Sequence, residues 1–110
     1  MKARRLTVVW TEVAMRDVER LTIRLSEDAP LRVEAIIERI VARGESLANL
    51  AQRGRTPPEL RSVADQTWLE IIEAPWRIVY RVVGRTVQIH AVLDGRRDLR
   101  DILLERLLDS

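Results

Sequence analysis

Two runs rich in β-branched and aromatic residues, Trp76 to Val83 and Thr86 to Leu93, are separated only by the dipeptide Gly84-Arg85. Such runs around a two-residue turn that contains glycine are typical of a β-hairpin. A third run, Trp68 to Glu73, precedes the hairpin and is joined to it by Ala74-Pro75. We therefore expect a three-stranded antiparallel meander, and a sheet this small needs a covering layer.

The first half of the chain predicts two helices that can form this covering layer. A short strand, Leu6 to Trp10, leads to Thr11, a suitable N-cap for a helix from about Glu12 to Leu25. A second helix is expected from about Pro30 to Leu50, with Gly44 marking a bend or an early stop. Both helices carry apolar residues at spacings of three and four, so each has one face to bury. The two helices should form an antiparallel hairpin.

A last helix is expected from about Leu99 to Leu108, with Asp98 as its N-cap. The element order is then β-α-α-β-β-β-α. We expect an α+β fold, in which an N-terminal strand and an α-helical hairpin pack on a small antiparallel sheet with a C-terminal helix. At 110 residues the chain is expected to form a single domain spanning 1–110.

Composition excludes several classes of function. Cysteine is absent, so thiolate chemistry and disulfides are not available. No metal-ligand spacing or cofactor motif is present, and neither a cofactor nor a metal is expected. No apolar run approaches the length of a membrane span, and no signal-peptide pattern opens the chain, so a cytoplasmic protein is the default expectation.

The charge is distributed unevenly. Every basic residue except Lys2 is arginine, and the formal net charge is only +2. The stretch 76–97 nevertheless holds five arginines against one acid, Asp94. Arginine offers a planar fork that matches carboxylates and phosphates, so this region predicts an acidic or phosphate-bearing partner. The candidate partner-binding residues are Trp68, Arg77, Arg81, Arg96 and Arg97.

Strand alternation places Arg77 and Arg81 on one face of the middle strand. The alternative to partner binding is that both pair with Glu70 and Glu73 across the sheet. His90 is the only histidine and the only plausible general base. Alternation places it with Gln88 and Val92, opposite Ile89, Ala91 and Leu93. Because no motif supplies a catalytic partner, we interpret it as structural.

Four motifs in order make the chain resemble a known family: Val8-Val9-Trp10-Thr11-Glu12-x-Ala14, Gly54-Arg55-x-x-Pro58-Glu59-Leu60, Trp76-Arg77-Ile78-x-Tyr80-Arg81 and Val92-Leu93-x-Gly95-Arg96-Arg97-Asp98. Together with the element order, they resemble the ParE/RelE toxin superfamily of type II toxin–antitoxin systems. The resemblance covers nearly the whole chain. It implies one of two activities, cleavage of ribosome-bound messenger RNA by RelE-like members or inhibition of DNA gyrase by ParE-like members.

The departures from the RelE-like pattern favour the ParE-like branch. Trp68 and Glu70 stand where the endonucleases place lysines, and a carboxylate would repel a phosphate backbone. Leu103 and Leu104 stand where a catalytic tyrosine would be expected. A RelE-like enzyme built on this chain would use Arg77, Arg97 and His90. The expected function is therefore gyrase inhibition without intrinsic catalysis, with a RelE-like endonuclease or a detoxified antitoxin-binding module as alternatives.

The resemblance also implies a partner. Family members are neutralised by a cognate antitoxin with a disordered C-terminal segment that folds along the toxin, adding a helix in a groove and sometimes a strand at the sheet edge. An acidic segment would complement the arginines, in a hetero-oligomer of toxin and antitoxin. DNA gyrase is the expected target, and neither direct DNA binding by this chain nor membrane association is expected.

Overall fold

The computed structural model describes residues 5–61, 67–96 and 100–108, and it has the predicted element order. The strands and helices are β1 (Thr7–Trp10), α1 (Glu12–Asp28), α2 (Val33–Glu45), β2 (Leu69–Glu73), β3 (Trp76–Val83), β4 (Thr86–Asp94) and α3 (Arg100–Leu108). Three short 3-10 turns, Ser46–Ala48, Ala51–Arg53 and Pro58–Leu60, connect α2 to β2. The α+β prediction is confirmed.

The helix ends follow local chemistry. The Thr11 hydroxyl accepts a hydrogen bond from the Ala14 backbone N–H at 3.2 Å, as expected of an N-cap. Helix α1 runs one turn beyond the predicted end. Helix α2 ends at Glu45, well before the predicted Leu50. The chain tightens into a 3-10 turn directly after Gly44 and Glu45, and the Trp10 ring packs on the Gly44 backbone at this point.

The sheet has the order β1-β4-β3-β2. Strands β2, β3 and β4 form the predicted antiparallel meander, whereas β1 joins the β4 edge in parallel. Helices α1 and α2 cover one face, and the largest core cluster lies beneath them. That cluster includes Ala14, Ile36, Ile40, Leu47, Ile71, Ile78, Tyr80, Val87, Ile89 and Val92.

A second, smaller cluster lies on the opposite face of the sheet. It joins Leu60, Trp68, Val79, Ala91 and Leu93, and Ile102 of α3 packs against it. In the described part of the chain, no helix is long and apolar enough to cross a membrane.

The placement of His90 corrects the sequence-based alternation. Tyr80 pairs with Ile89 and Val79 pairs with Ala91, so His90 is an extra residue in β4. Because this β-bulge shifts the alternation by one, Ala91 joins the Trp68 cluster on the His90 side of the sheet. The prediction that Ala91 and Leu93 lie opposite His90 was therefore wrong.

Candidate partner-binding surface

Arg77 lies inside the protein. Its side chain is 7% exposed, and its Nε donates a hydrogen bond to Glu70 Oε1 at 2.6 Å. The other two guanidinium nitrogens donate to the two carboxylate oxygens of Glu59, with 2.6 Å from Nη2 to Oε1. This bidentate geometry is the strongest that arginine makes with a carboxylate. The sequence-based alternative of cross-strand pairing with Glu70 is confirmed for Arg77.

The acid partners of Arg77 tie a loop to the sheet. The Glu70 side chain is fully buried and also accepts a hydrogen bond from Arg55 Nε at 3.0 Å. The backbones of these two residues exchange N–H to C=O hydrogen bonds of 2.7 and 3.0 Å. The hydrogen bond from Arg77 holds the pKa of Glu59 below its usual value, and the Glu59 carboxylate raises the pKa of Arg77. The four side chains balance in charge, so the network presents no net positive patch.

Trp68 is also buried, at 2% exposure, and does not project as a free anchor. The guanidinium of Arg81 lies over its ring at 4.9 Å, and the ring of His90 meets it edge-on at 4.8 Å. Arg81 Nε donates to Gln88 Oε1 at 3.0 Å. A cation over an indole and a hydrogen bond to a neighbour hold Arg81 in one orientation at the half-buried rim of the sheet.

His90 sits in the same cluster with Gln88 Oε1 at 3.2 Å from its Nε2. Burial lowers the pKa of His90, and the nearby Arg81 charge lowers it further. The imidazole is therefore neutral near pH 7. Its polar neighbour, Gln88, has a neutral amide and cannot accept a proton from the imidazole.

The remaining predicted residues lie at the far end of the hairpin. Arg96 is exposed, and its Nη2 and Nε contact the Asp94 carboxylate at 2.8 and 3.1 Å. The hydrogen bonds from Arg96 lower the pKa of Asp94 to about 2. Arg97 lies outside the described residues. Of the predicted set, the structure thus groups Trp68 with Arg81, and places Arg77 and Arg96 in separate acid-paired sites.

The prediction that Trp68 and Arg77 face a partner rested on strand alternation, which identifies a face of the sheet and not what covers it. The turn Pro58–Leu60 covers that face at Arg77 and Trp68, through Glu59 and Leu60 respectively. Their expected exposure is corrected, and Arg81 and Arg96 are the members of the described set that reach the surface.

An apolar groove on the helical layer was missed by the sequence analysis. Trp10, Met15, Val18 and Val41 line a hollow of about 480 Å³ between the helices. Met15 is 59% exposed, and Val41, which was predicted on the buried stripe of α2, is 37% exposed. The sequence did offer one sign of this groove, because apolar residues such as Val13 fall outside the predicted buried stripes and are exposed. We take this groove as a candidate interaction site.

The described residues thus give two features beside the core, the arginine-rich side of the sheet and the apolar groove on the helical layer. Among them, no group of acids and histidine is arranged as a metal site. Arg77 and Arg96 are engaged in ion pairs, and Arg81 and His90 pack against Trp68. The described part of the chain has a small α+β fold with these two features.

Comparisons with known proteins give the family. The model of the ParE toxin of the type II toxin–antitoxin system parDE matches residues 8–99. The chain therefore belongs to the ParE toxin family, and it is a ParE-type toxin of a toxin–antitoxin system. The superfamily suggested by the sequence motifs is confirmed. A search of curated proteins found no match.

Two solved structures share the fold. A chain of the chromosomal ParDE system from P. aeruginosa is similar with a TM-score of 0.68 at 19% identity, over 84% of this chain and 98% of that chain. A chain of the RelBE2 toxin–antitoxin complex from Mycobacterium tuberculosis is similar with a TM-score of 0.60 at 22% identity, over 82% of this chain and 98% of that chain.

Proposed function

We propose that this toxin inhibits DNA gyrase, and so replication, by binding it without catalysis of its own. Membership of the ParE family supports the target. The observation that carries the absence of catalysis is the enclosure of Arg77 between Glu59 and Glu70. Arginine that is already bound to two carboxylates is not available to stabilise the charge of a phosphate in a transition state.

The state of His90 supports the same proposal. Phosphoester cleavage needs a group that removes a proton from the nucleophile. His90 is neutral, but its ring is packed against Trp68 and its polar contact is an amide oxygen. No described carboxylate orients it, in contrast to the arrangement of a base held by an acid. A RelE-like endonuclease built on Arg77 and His90 would first have to dismantle both clusters.

We further propose that an antitoxin neutralises the toxin by laying an amphipathic helix into the groove lined by Trp10, Met15, Val18 and Val41. A preformed apolar groove suits this mode of recognition. Glu19 and Glu45 border the groove, so basic residues should flank the apolar side of that helix. An acidic part of the antitoxin would instead suit the arginines at the hairpin end. The complex is expected in the cytoplasm, where gyrase acts.

The target is tested with the purified toxin in two parallel assays. We expect loss of supercoiling, with cleaved DNA accumulating, when gyrase is mixed with a stoichiometric excess of toxin. We expect no new message ends when the same preparation meets translating ribosomes. Unaffected supercoiling would remove the gyrase proposal. New ends in the ribosome assay would establish the endonuclease alternative, and a chain inert in both assays would be a detoxified binding module.

The groove is tested by Met15→Glu, which places a charge in the apolar contact. Met15 is largely exposed in the free chain, so folding should be unaffected while antitoxin affinity falls at least about tenfold. The matched control is Leu31→Glu, at a position 99% exposed in the turn between α1 and α2. Equal affinity of both variants for the antitoxin would place its helix elsewhere.

A further inference from the structure

A second hollow, of about 310 Å³, lies where α1, the end of the β3–β4 hairpin and α3 meet. We name it the arginine pocket, because Arg20, Arg24 and Arg106 all line it. Its volume is at the lower end of the range of about 300–1,000 Å³ that small-molecule sites occupy. It is separate from the apolar groove and from the Arg77 network.

The acids of the arginine pocket are already neutralised by the protein. The side chain of Asp17 is 5% exposed and accepts hydrogen bonds from the Val92 backbone N–H at 3.0 Å and from Arg106 Nη1 at 2.7 Å. Asp94 is held by Arg96 through two side-chain contacts and a backbone N–H at 2.9 Å. Neither carboxylate has to be satisfied by a ligand.

Arg20 and Arg24 are not engaged in this way. They stand one turn apart on α1, which places them on the same flank of the helix. In the ranges 5–61, 67–96 and 100–108, no residue forms a hydrogen bond or ion pair with either guanidinium. Arg24 acts only through space on Asp94, where its charge helps to lower the pKa of that carboxyl. Within the described residues, both exposed guanidinium groups at the rim of the hollow can therefore accept an anion as a hydrogen-bonding partner.

The remaining wall of the pocket is apolar. Leu21, Trp76 and Ile102 line it, with the edge of the sheet between them. A ligand that reaches both the forks and this wall would remove apolar surface from water as well as meet a charge. An inorganic ion would use only the first interaction.

We propose that the arginine pocket binds a small organic anion, in which a carboxylate or phosphate group is attached to a compact apolar body. Arg20 and Arg24 hold the anionic group, and Leu21, Trp76 and Ile102 contact the apolar body. Arg106 adds positive charge at the pocket wall while remaining bound to Asp17. The pocket lies apart from the apolar groove, which is on the other flank of α1 at Met15 and Glu19.

The experiment titrates phenyl phosphate and phenylacetate into the intact chain and follows the indole N–H signals by NMR. We expect saturable binding of at least one of them, with the signal of Trp76 shifted and that of Trp10 unmoved. Inorganic phosphate lacks the apolar body and benzyl alcohol lacks the anionic group, so each should bind at least about tenfold more weakly.

The matched variants are Arg20→Gln/Arg24→Gln and Arg53→Gln/Arg85→Gln, which remove equal charge at the pocket and away from it. The first should weaken binding at least about tenfold and the second should not. No saturation by either organic anion below about 10 mM would overturn the proposal. So would equal binding of inorganic phosphate, or an equal loss in both variants. Gyrase and antitoxin assays are not involved, so this proposal and the proposed function fail independently.

Discussion

Replacing Arg77 by methionine removes the guanidinium from the centre of its network while keeping an unbranched apolar side chain. Glu70, whose side chain has no exposed surface, is then left with Arg55, whose side chain is 58% exposed and offers a more solvated charge. Glu59 loses its bidentate partner but has 16% of its side chain exposed, so part of its hydration is recovered. The variant therefore measures the cost of leaving the two carboxylates with one arginine, Arg55, in place of two.

The magnitude follows from these exposures. Removing one member of a buried ion pair costs about 3–5 kcal/mol, and the partial exposure of Glu59 favours the lower figure, about 3 kcal/mol. Unfolding entropy is about 2.1 cal/mol/K per residue, so for 110 residues a loss of about 3 kcal/mol lowers Tm by about 13 °C. Such a loss is a large part of the stability of a small domain.

The assay is chemical and thermal unfolding of Arg77→Met beside Arg16→Met. Arg16 pairs with Glu12 in a surface bridge whose side chains are 59% and 80% exposed, so its loss should cost less than about 0.5 kcal/mol. A double-mutant cycle with Glu59→Gln should then give a clear coupling between Arg77 and Glu59. If Arg77→Met costs less than about 1 kcal/mol, Arg77 is solvated rather than buried, and the argument against catalysis loses its basis.

Three further outcomes are expected. The NMR titration midpoint of His90 should lie below 6.5, because burial and then Arg81 lower its pKa, and Arg81→Gln should raise it. The free energy of unfolding should fall as pH drops from about 6.5 to that midpoint, since the unfolded chain takes up the proton first. A midpoint at or above 6.5 would contradict this. Tyr80→Phe should lower the free energy of unfolding in urea by about 1–3 kcal/mol, because the Tyr80 hydroxyl donates to the Ala51 carbonyl and accepts from the Gly54 N–H. An unchanged unfolding midpoint would contradict a stabilising role for these two hydrogen bonds. Gly44→Ala should lower Tm and shift Trp10 fluorescence, because the new Cβ would lie 2.5 Å from the Trp10 ring. This clash opposes the helix preference of alanine, about 1 kcal/mol, and a higher Tm would show that the ring moves aside at little cost.

Much of the fold was predictable because its signals are local. The glycine turn at Gly84-Arg85 sets the β3–β4 hairpin, and Thr11 begins α1 where an N-cap is expected. The apolar periodicity of the helices correctly predicted that each buries one face against the sheet. Helix α2 ends at Glu45, beside the Gly44 that indicated a bend or an early stop, whereas the contact between Gly44 and Trp10 was not predictable because it joins residues distant in sequence.

The candidate site was predicted less well. The arginine-rich strand was recognised, and alternation correctly put Arg77 and Arg81 on one face of β3. Which of the two is buried was not predictable, because the answer depends on a turn, Pro58–Leu60, that folds back over the sheet from outside it. The apolar groove was missed for a related reason, since no helix periodicity shows how much of an apolar side chain a neighbouring helix leaves uncovered.

By itself, the sequence determined the order of the elements, the class of fold and the family, because turns, caps and periodicity are properties of neighbours along the chain. Only the tertiary structure decided that Arg77 is enclosed by carboxylates and that His90 is bulged against Trp68. It also decided that Arg20 and Arg24 line a pocket without a hydrogen-bonded partner among the described residues. The physical reason is that a charge is neutralised, buried or exposed by residues that are close in space, and chain connectivity does not specify those neighbours.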